Sequence, residues 1–452
     1  MQSVHNSVPQ QTGKSSPTSS PLPQPVTRLI GREHELDTLC TLLRCDDTRL
    51  VTLTGPGGIG KSRIALQAAS MAADAMPDGV AFVPLATIHD AGFLVSAIAQ
   101  ALDARESNTQ PLLRQLQLHL RDRRMLLLLD NFEQIIDAAP LISNLLQHCP
   151  GLKVLVTSRT VLQISGEYRF LVPPLAMPGL EQLQAAADNP EALKHYAALW
   201  LFYERACAVR PDFRLTAENA AIATEICRHL DGLPLAIELA AARLGMLTPQ
   251  ELLRRLNNRF SVLTTGSRDL LAHQQTLRQT LDWSYDLLVP LERTLFAHLS
   301  VFTGGWTLGA MEAVCAPALS ESESADCLLD KLAALINQSI VFREESGSAD
   351  AESRFNMLGT LREYAAERLQ ESGEADAVCK NHAAYYLELT EQAEPALVGP
   401  SQGYWLERLE REHNNIRAAL QWAFEHGVAE VLKLLYRPYA YLDHAAIRAA
   451  GK

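Results

Sequence analysis

Eight residues carry the strongest chemical signal in the chain: Gly55-Pro56-Gly57-Gly58-Ile59-Gly60-Lys61-Ser62. They match G-x-x-x-x-G-K-[ST], a spacing in which each part serves a phosphate chain. Glycines permit backbone conformations that a Cβ forbids, so the N–H groups of Gly55, Gly57, Gly58, Ile59 and Gly60 can turn inward as a nest for phosphate oxygens. A helix beginning near Lys61 adds the positive end of its dipole. Lys61 has the reach and charge for the β- and γ-phosphates, the Ser62 hydroxyl suits Mg2+, and Arg63 follows in the same turn. The pattern predicts ATP or ADP with Mg2+ as ligand and cofactor.

Further candidates lie beyond two apolar runs. Asp130, in Leu129-Asp130-Asn131-Phe132-Glu133, is the expected metal-binding acid, acting directly or through water. Hydrolysis also needs a group that orients or deprotonates water. Asn131 cannot accept a proton at neutral pH, and Glu133 is either that base or half of a structural ion pair. Arg159, in Thr157-Ser158-Arg159, is either a γ-phosphate sensor with forked donors or a surface arginine at a strand end. The catalytic set is therefore Asp130, Glu133 and Arg159, with Ser62 and Asp130 on the metal. Slow turnover is expected from an asparagine beside Asp130.

The elements that must hold these residues are legible from periodicity. Leu50-Val51-Thr52-Leu53-Thr54 leads into the glycine loop as a strand, and Ile64, Ala65, Leu66, Ala68 and Ala69 follow it at helical spacing. Strands are expected at 80–83, 125–129 and 152–156, the second apolar at every position as in a parallel strand covered on both faces. Helices are expected at 33–43, 93–102 and 112–120. Strands alternating with helices predict a three-layer α/β domain. Helical segments follow at 192–208, 217–230 and 235–244, with Asp231-Gly232 as a stop and Pro234 as a helix-initiating proline. Residues 273–372 give helices and then two β-like stretches, the order of a winged helix. Helices at 382–396, 404–424 and 428–442 suit the start of a repeat array.

Composition bounds the rest. The 452 residues exceed a single core, and the net charge of −12 argues against the whole chain being a nucleic-acid binder. Eight scattered cysteines without a C-x-x-C pair indicate neither zinc nor a disulfide framework. No apolar run has membrane length and no signal-peptide core is present, so a cytoplasmic chain without membrane contact is expected.

Ile30-Gly31-Arg32-Glu33, the glycine loop, Leu129-Asp130-Asn131-Phe132-Glu133-Gln134, Thr157-Ser158-Arg159 and Gly232-Leu233-Pro234-Leu235-Ala236 occur in the order of NB-ARC-type STAND signalling ATPases. The chain resembles their bacterial branch from about residue 28 to 425. Thr276-Leu277-Arg278-Gln279-Thr280-Leu281-Asp282-Trp283-Ser284-Tyr285 and Arg362-Glu363-Tyr364-Ala365 look like its winged-helix portion. The resemblance implies an α/β P-loop NTPase domain at 28–175 after a disordered tail at 1–27. It also implies a helical lid at 176–265, a winged-helix domain at 266–373 and a TPR-like helical region at 374–452. Ile30 and Arg32 would lie beside the adenine, with Pro234 near the base or sugar. One departure stands out: where the family often has a Met-His-Asp sensor, this chain has Met357-Leu358-Gly359.

By that resemblance the chain is a switch in transcriptional or other signalling, closed with ADP and open, often oligomeric, with ATP. It would act through protein partners or self-association. A second reading is an ATP-dependent transcription factor whose winged helix binds DNA, with residues 252–260 as its best basic cluster. A third, a metabolic ATPase or kinase, lacks a substrate constellation. No effector domain is visible, so the expectation is either a chain truncated within its helical region or one that works through a partner.

Overall fold

An interior strand of the first sheet is β1 (Leu50–Thr54), buried at all five positions. In the computed structural model it pairs in parallel with β4 (Leu152–Thr157) on one side and β5 (Glu167–Leu171) on the other. β2 (Val80–Pro84) and β3 (Met125–Asp130) extend the sheet, giving the order β2-β3-β4-β1-β5 with every pairing parallel. The structure describes residues 22–88, 90–104, 110–179, 182, 195–256, 277–318, 325–344, 352–397 and 400–427. They form two compact units, Met1–Thr54 with Gly60–Val172, and Gly55–Ile59 with Pro173–Lys452. The tail at 1–21, the basic residues beyond 256 and the helix expected at 428–442 lie outside the described residues.

Pleating sends alternate residues of each strand to opposite faces. Leu50, Leu127, Leu129, Val154 and Val156 join a core with the helices Leu94–Ala101, Leu112–Leu120 and Ala139–His148. On the other face lies Lys61–Ala72, whose Ile64, Ala65, Ala68, Ala69 and Ala72 are fully buried. Its alanine side chains let the helix approach the strands closely, bringing the residues at its N-terminus to their C-terminal ends. The helix Glu33–Arg44 packs alongside it. β5 escapes periodicity because Glu167-Tyr168-Arg169-Phe170-Leu171 is a half-exposed edge strand; the Glu167 carboxylate accepts from the backbone N–H groups of Leu162 and Gln163 and starts it.

In the second unit four helices, Ala197–Val209, Ala217–His229, Pro234–Ala242 and Pro249–Arg255, precede a winged helix. Its antiparallel sheet has the order β6-β8-β7, from β6 (Trp306–Thr307), β7 (Val341–Arg343) and β8 (Arg354–Met357). Phe302 stacks on Trp306 at 5.5 Å, and Tyr364, from the following helix Gly359–Ser372, meets Tyr285 edge to face at 5.7 Å. The helical region contains Ala375–Ala396, Gln402–Arg411 and His413–Glu425. The single helix expected over 404–424 is therefore two, broken at Glu412. That carboxylate accepts hydrogen bonds from Arg354, Tyr386 and Asn415, which holds the break in place.

In the helix Ala375–Ala396, His382 is 3% exposed, and its Nε2 has no hydrogen-bond partner among the described residues. Burial lowers its pKa from 6.5 to about 4, with a hydrogen bond to Asn415 opposing the shift. Between those values the unfolded chain binds the proton that the folded one refuses, so stability falls as pH drops through the window. A loss of roughly 3 kcal/mol between pH 6.5 and 4 is expected for the second unit. His382→Gln should flatten that part of a denaturant-midpoint profile; an equally steep profile in the variant would reject the assignment.

Candidate functional site

The sheet order sets the spacing of the chemistry. β4 lies between β1 and β3, so Asp130 ends a strand two positions, or about 10 Å, from the strand that feeds the glycine loop. Thr157, at the end of β4, fills the interval. Its hydroxyl donates to Asp130 Oδ1 at 2.5 Å and accepts from the Asn131 N–H at 3.0 Å. Ser62, from the first turn of the Lys61–Ala72 helix, is also hydrogen-bonded to the Asp130 carboxylate. Burial raises the Asp130 pKa, and the Ser62 and Thr157 hydrogen bonds oppose that shift. Thr157 was not among the residues singled out by sequence; a hydroxyl ending a buried strand, directly before Ser158-Arg159, was its only signal.

Glu133 and Arg159 are both almost completely buried, with Arg159 Nε 3.4 Å from Glu133 Oε1. Of the two readings left open for Glu133, the structure displays the ion pair. Its Oε2 has no hydrogen-bond partner among the described residues. Burial lowers the Arg159 pKa to about 10 despite the opposing charge of Glu133. Arg159 is thus not the surface arginine that a strand end allows. Lys61 retains partial exposure, yet burial lowers its pKa to about 8, a shift opposed by Glu133 and Asp130 and reinforced by Arg159. Two cations and two carboxylates are thereby gathered at the C-terminal ends of β3 and β4, where ligands of parallel α/β sheets bind.

The other predicted positions fall into two groups. Ile30 and Arg32 are buried, and Arg32 donates to Glu35 at 2.7 Å. Arg63 ties the preceding segment to the Lys61–Ala72 helix by donating to the Thr27 carbonyl at 2.7 Å and the Arg28 carbonyl at 2.9 Å. In the second unit, which includes Gly55–Ile59, Pro234 begins the helix Pro234–Ala242. The Leu235 N–H donates to the Gly58 carbonyl at 3.2 Å. Gly58 has φ +79°, and a Cβ there would meet the Leu235 Cβ at 2.9 Å, so only glycine suits both its backbone and its neighbour.

The residues suit a magnesium nucleotide. Asp130 and Ser62 offer hard oxygen ligands beside each other, and one carboxylate with phosphates and water is the usual provision for Mg2+. Lys61, deprived of part of its hydration, would regain a counter-charge from phosphate. No group of three or more His, Cys, Asp or Glu arranged to hold a metal occurs among the described residues. No helix among them is long and apolar enough to cross a membrane.

Residues 32–169 match the NB-ARC domain, and residues 288–370 match a winged helix-turn-helix domain. A protein of Mycobacterium tuberculosis (strain ATCC 25618 / H37Rv) named "Putative HTH-type transcriptional regulator" is 38% identical over 388 residues, covering 85% of this chain and 41% of that protein. An uncharacterized protein of the same strain is 38% identical over 354 residues, covering 78% of this chain and 84% of its own. The chain thus spans about two fifths of the length of the regulators it matches. A solved STAND protein with a tetratricopeptide repeat sensor from Pyrococcus horikoshii covers 95% of this chain and 58% of its own at 16% identity, with a TM-score of 0.31, too low to carry an argument. On the matched domains and the relative covered over 84% of its length, the chain belongs to the family of bacterial proteins that join an NB-ARC domain to a winged helix-turn-helix domain.

Proposed function

We propose that this chain is a nucleotide-occupancy switch that binds ATP or ADP with Mg2+, hydrolyses ATP slowly and passes its state to a transcriptional or other signalling output. The reading rests on the convergence of Ser62 and Thr157 on Asp130 beside a desolvated Lys61. Bound Mg2+ would supply charge screening and polarisation of the terminal phosphate. Ser62 and Asp130 would hold the metal, Thr157 fixes the Asp130 carboxylate, and Lys61 would neutralise phosphate charge. Arg159 is the candidate γ-phosphate sensor and Glu133 the candidate base; their pairing engages Arg159 Nε and Glu133 Oε1, which favours slow turnover. Ile30, Arg32 and Pro234 are assigned to the nucleoside end. The switch works in the cytoplasm through protein partners or self-association in the ATP state. Its modules are the nucleotide domain at 28–175, the lid at 176–265, the winged helix at 266–373 and the helical region from 374.

The alternative, direct DNA binding by the winged helix, draws little from charge. Residues 288–370 contain six Lys and Arg against twelve Asp and Glu, opposite to the excess that phosphate contacts require.

Titration with fluorescent ATP and ADP, with and without Mg2+, tests the primary reading. Thr157→Val removes a hydrogen bond to a charged group, so Mg2+-dependent affinity should fall about tenfold while Mg2+-free binding is unchanged. Asp130→Asn should abolish both the Mg2+ dependence and turnover. No nucleotide binding by the wild-type chain under either condition would refute the function.

A further inference from the structure

The segment Asp231-Gly232-Leu233-Pro234-Leu235 touches three separate parts of the second unit. At one end the Leu235 N–H donates to the Gly58 carbonyl. In the middle the Gly232 carbonyl accepts from the Leu175 N–H at 3.0 Å. A Cβ on Gly232, whose φ is +64°, would stand 2.7 Å from the Leu175 carbonyl oxygen. At the other end the Asp231 carboxylate spans the first turn of the helix Gly359–Ser372, accepting from the Gly359 N–H at 3.0 Å and the Thr360 N–H at 2.6 Å. Those amides have no acceptor within their own helix, and both lie at the positive end of its dipole. The helix N-cap position is Leu358, which makes no side-chain capping bond. Asp231 therefore supplies from 128 residues away the cap that the local sequence lacks. It does so at φ +52°, a backbone conformation that aspartate tolerates better than most residues but that still needs external support.

We propose that Asp231 is a releasable clasp through which a change at Gly58 is transmitted to the winged helix. Leu235 and Asp231 are four residues apart on a path pinned at its centre by Gly232, so displacement of the Gly58 peptide alters the position of the Asp231 carboxylate. Opening the clasp exposes two amides and leaves Gly359–Ser372 without its cap, freeing the winged helix to repack. The coupling half rests on the nucleotide reading above; the clasp itself stands on geometry alone.

Amide hydrogen exchange on the full chain tests both halves. Asp231→Ala should accelerate exchange at Gly359, Thr360 and the following turn at least tenfold, while the Trp306 amide keeps its protection. Gly359→Pro attacks the same contact from the other side by deleting one donor. Proline is acceptable at the first helical position, and Leu358, at φ −58° and ψ 142°, already has the conformation a following proline demands. In the wild type, ATP and ADP should give different protection at Thr360, and the difference should vanish in both variants. Wild-type exchange rates at residues 359 and 360 in Asp231→Ala would overturn the clasp. A nucleotide-dependent difference that persists in both variants would overturn the coupling. Failure of fluorescent nucleotide to bind the wild type defeats the nucleotide reading and the coupling, and is read apart from the clasp, which is scored without nucleotide.

Discussion

Lys61→Ala is expected to weaken ATP and ADP binding by roughly 100-fold, the loss produced by removing a hydrogen-bonded positive charge from a phosphate site. The direction follows from the desolvation of the ammonium, which lowers its pKa to about 8 in the free protein. Phosphate favours the charged form, so binding and protonation are coupled. Affinity in the wild type should be flat up to pH 7 and fall above pH 8 as the free protein loses that proton. Lys61→Met should bind weakly and show no such fall. It should also melt at a higher temperature than the wild type in the absence of nucleotide, because a poorly solvated ammonium is replaced by an apolar chain of similar length. A weakly binding variant that is thermally stronger cannot be explained by misfolding. Unchanged affinity in Lys61→Ala would remove this residue from the site.

Glu412→Ala is expected to cost about 3–5 kcal/mol, the range for removing one partner of a buried ion pair. Arg354 begins β8 and reaches Glu412, Glu344 and the carbonyls of Gly304, Gly305 and Arg411. Burial alone would lower the Arg354 pKa; the hydrogen bond and charge of Glu412, with Glu344, raise it instead. Alanine at 412 removes the shorter of that guanidinium's two carboxylate contacts and strips the Tyr386 hydroxyl and one proton of the Asn415 amide of this acceptor. Replacing Arg354 by Met in the same chain should recover most of the loss, since two apolar residues in place of a buried pair are often neutral. The denaturant midpoint reported by amide exchange at Trp306 and Phe355 measures both. If Glu412→Ala left that midpoint unchanged, the pair would not be holding β8 to the helix break.

What could be read from the chain, and what could not, divides along a physical line. The glycine loop, Asp130 and Arg159 were visible because their chemistry is local: a short spacing, or a polar residue ending an all-apolar strand. The strands Leu50–Thr54, Met125–Asp130 and Leu152–Thr157 were visible because both faces are buried. β5 was not, because an edge strand carries a weaker apolar pattern. The role of Thr157 depends on which strands are neighbours, and sequence order does not disclose that β4 separates β1 from β3. Asp231 read as part of a helix stop because its partners, Gly359 and Thr360, are more than a hundred positions away. Glu412 was hidden within an amphipathic pattern that runs unbroken through the bend.

The pairing of β1 has a consequence for the chain's birth. Its neighbours among the described residues are β4 and β5, whose residues enter the sheet at Leu152 and Glu167. A hydrophobic strand made early therefore waits for about a hundred further residues before either edge is satisfied, the kind of distant closure that slows folding. A ribosome that has exposed the glycine loop has not yet made the strands that support it. During that interval the Leu50-Val51-Thr52-Leu53 segment is open to pairing with other chains, and a chaperone that shields it until Leu171 emerges would protect the nascent protein.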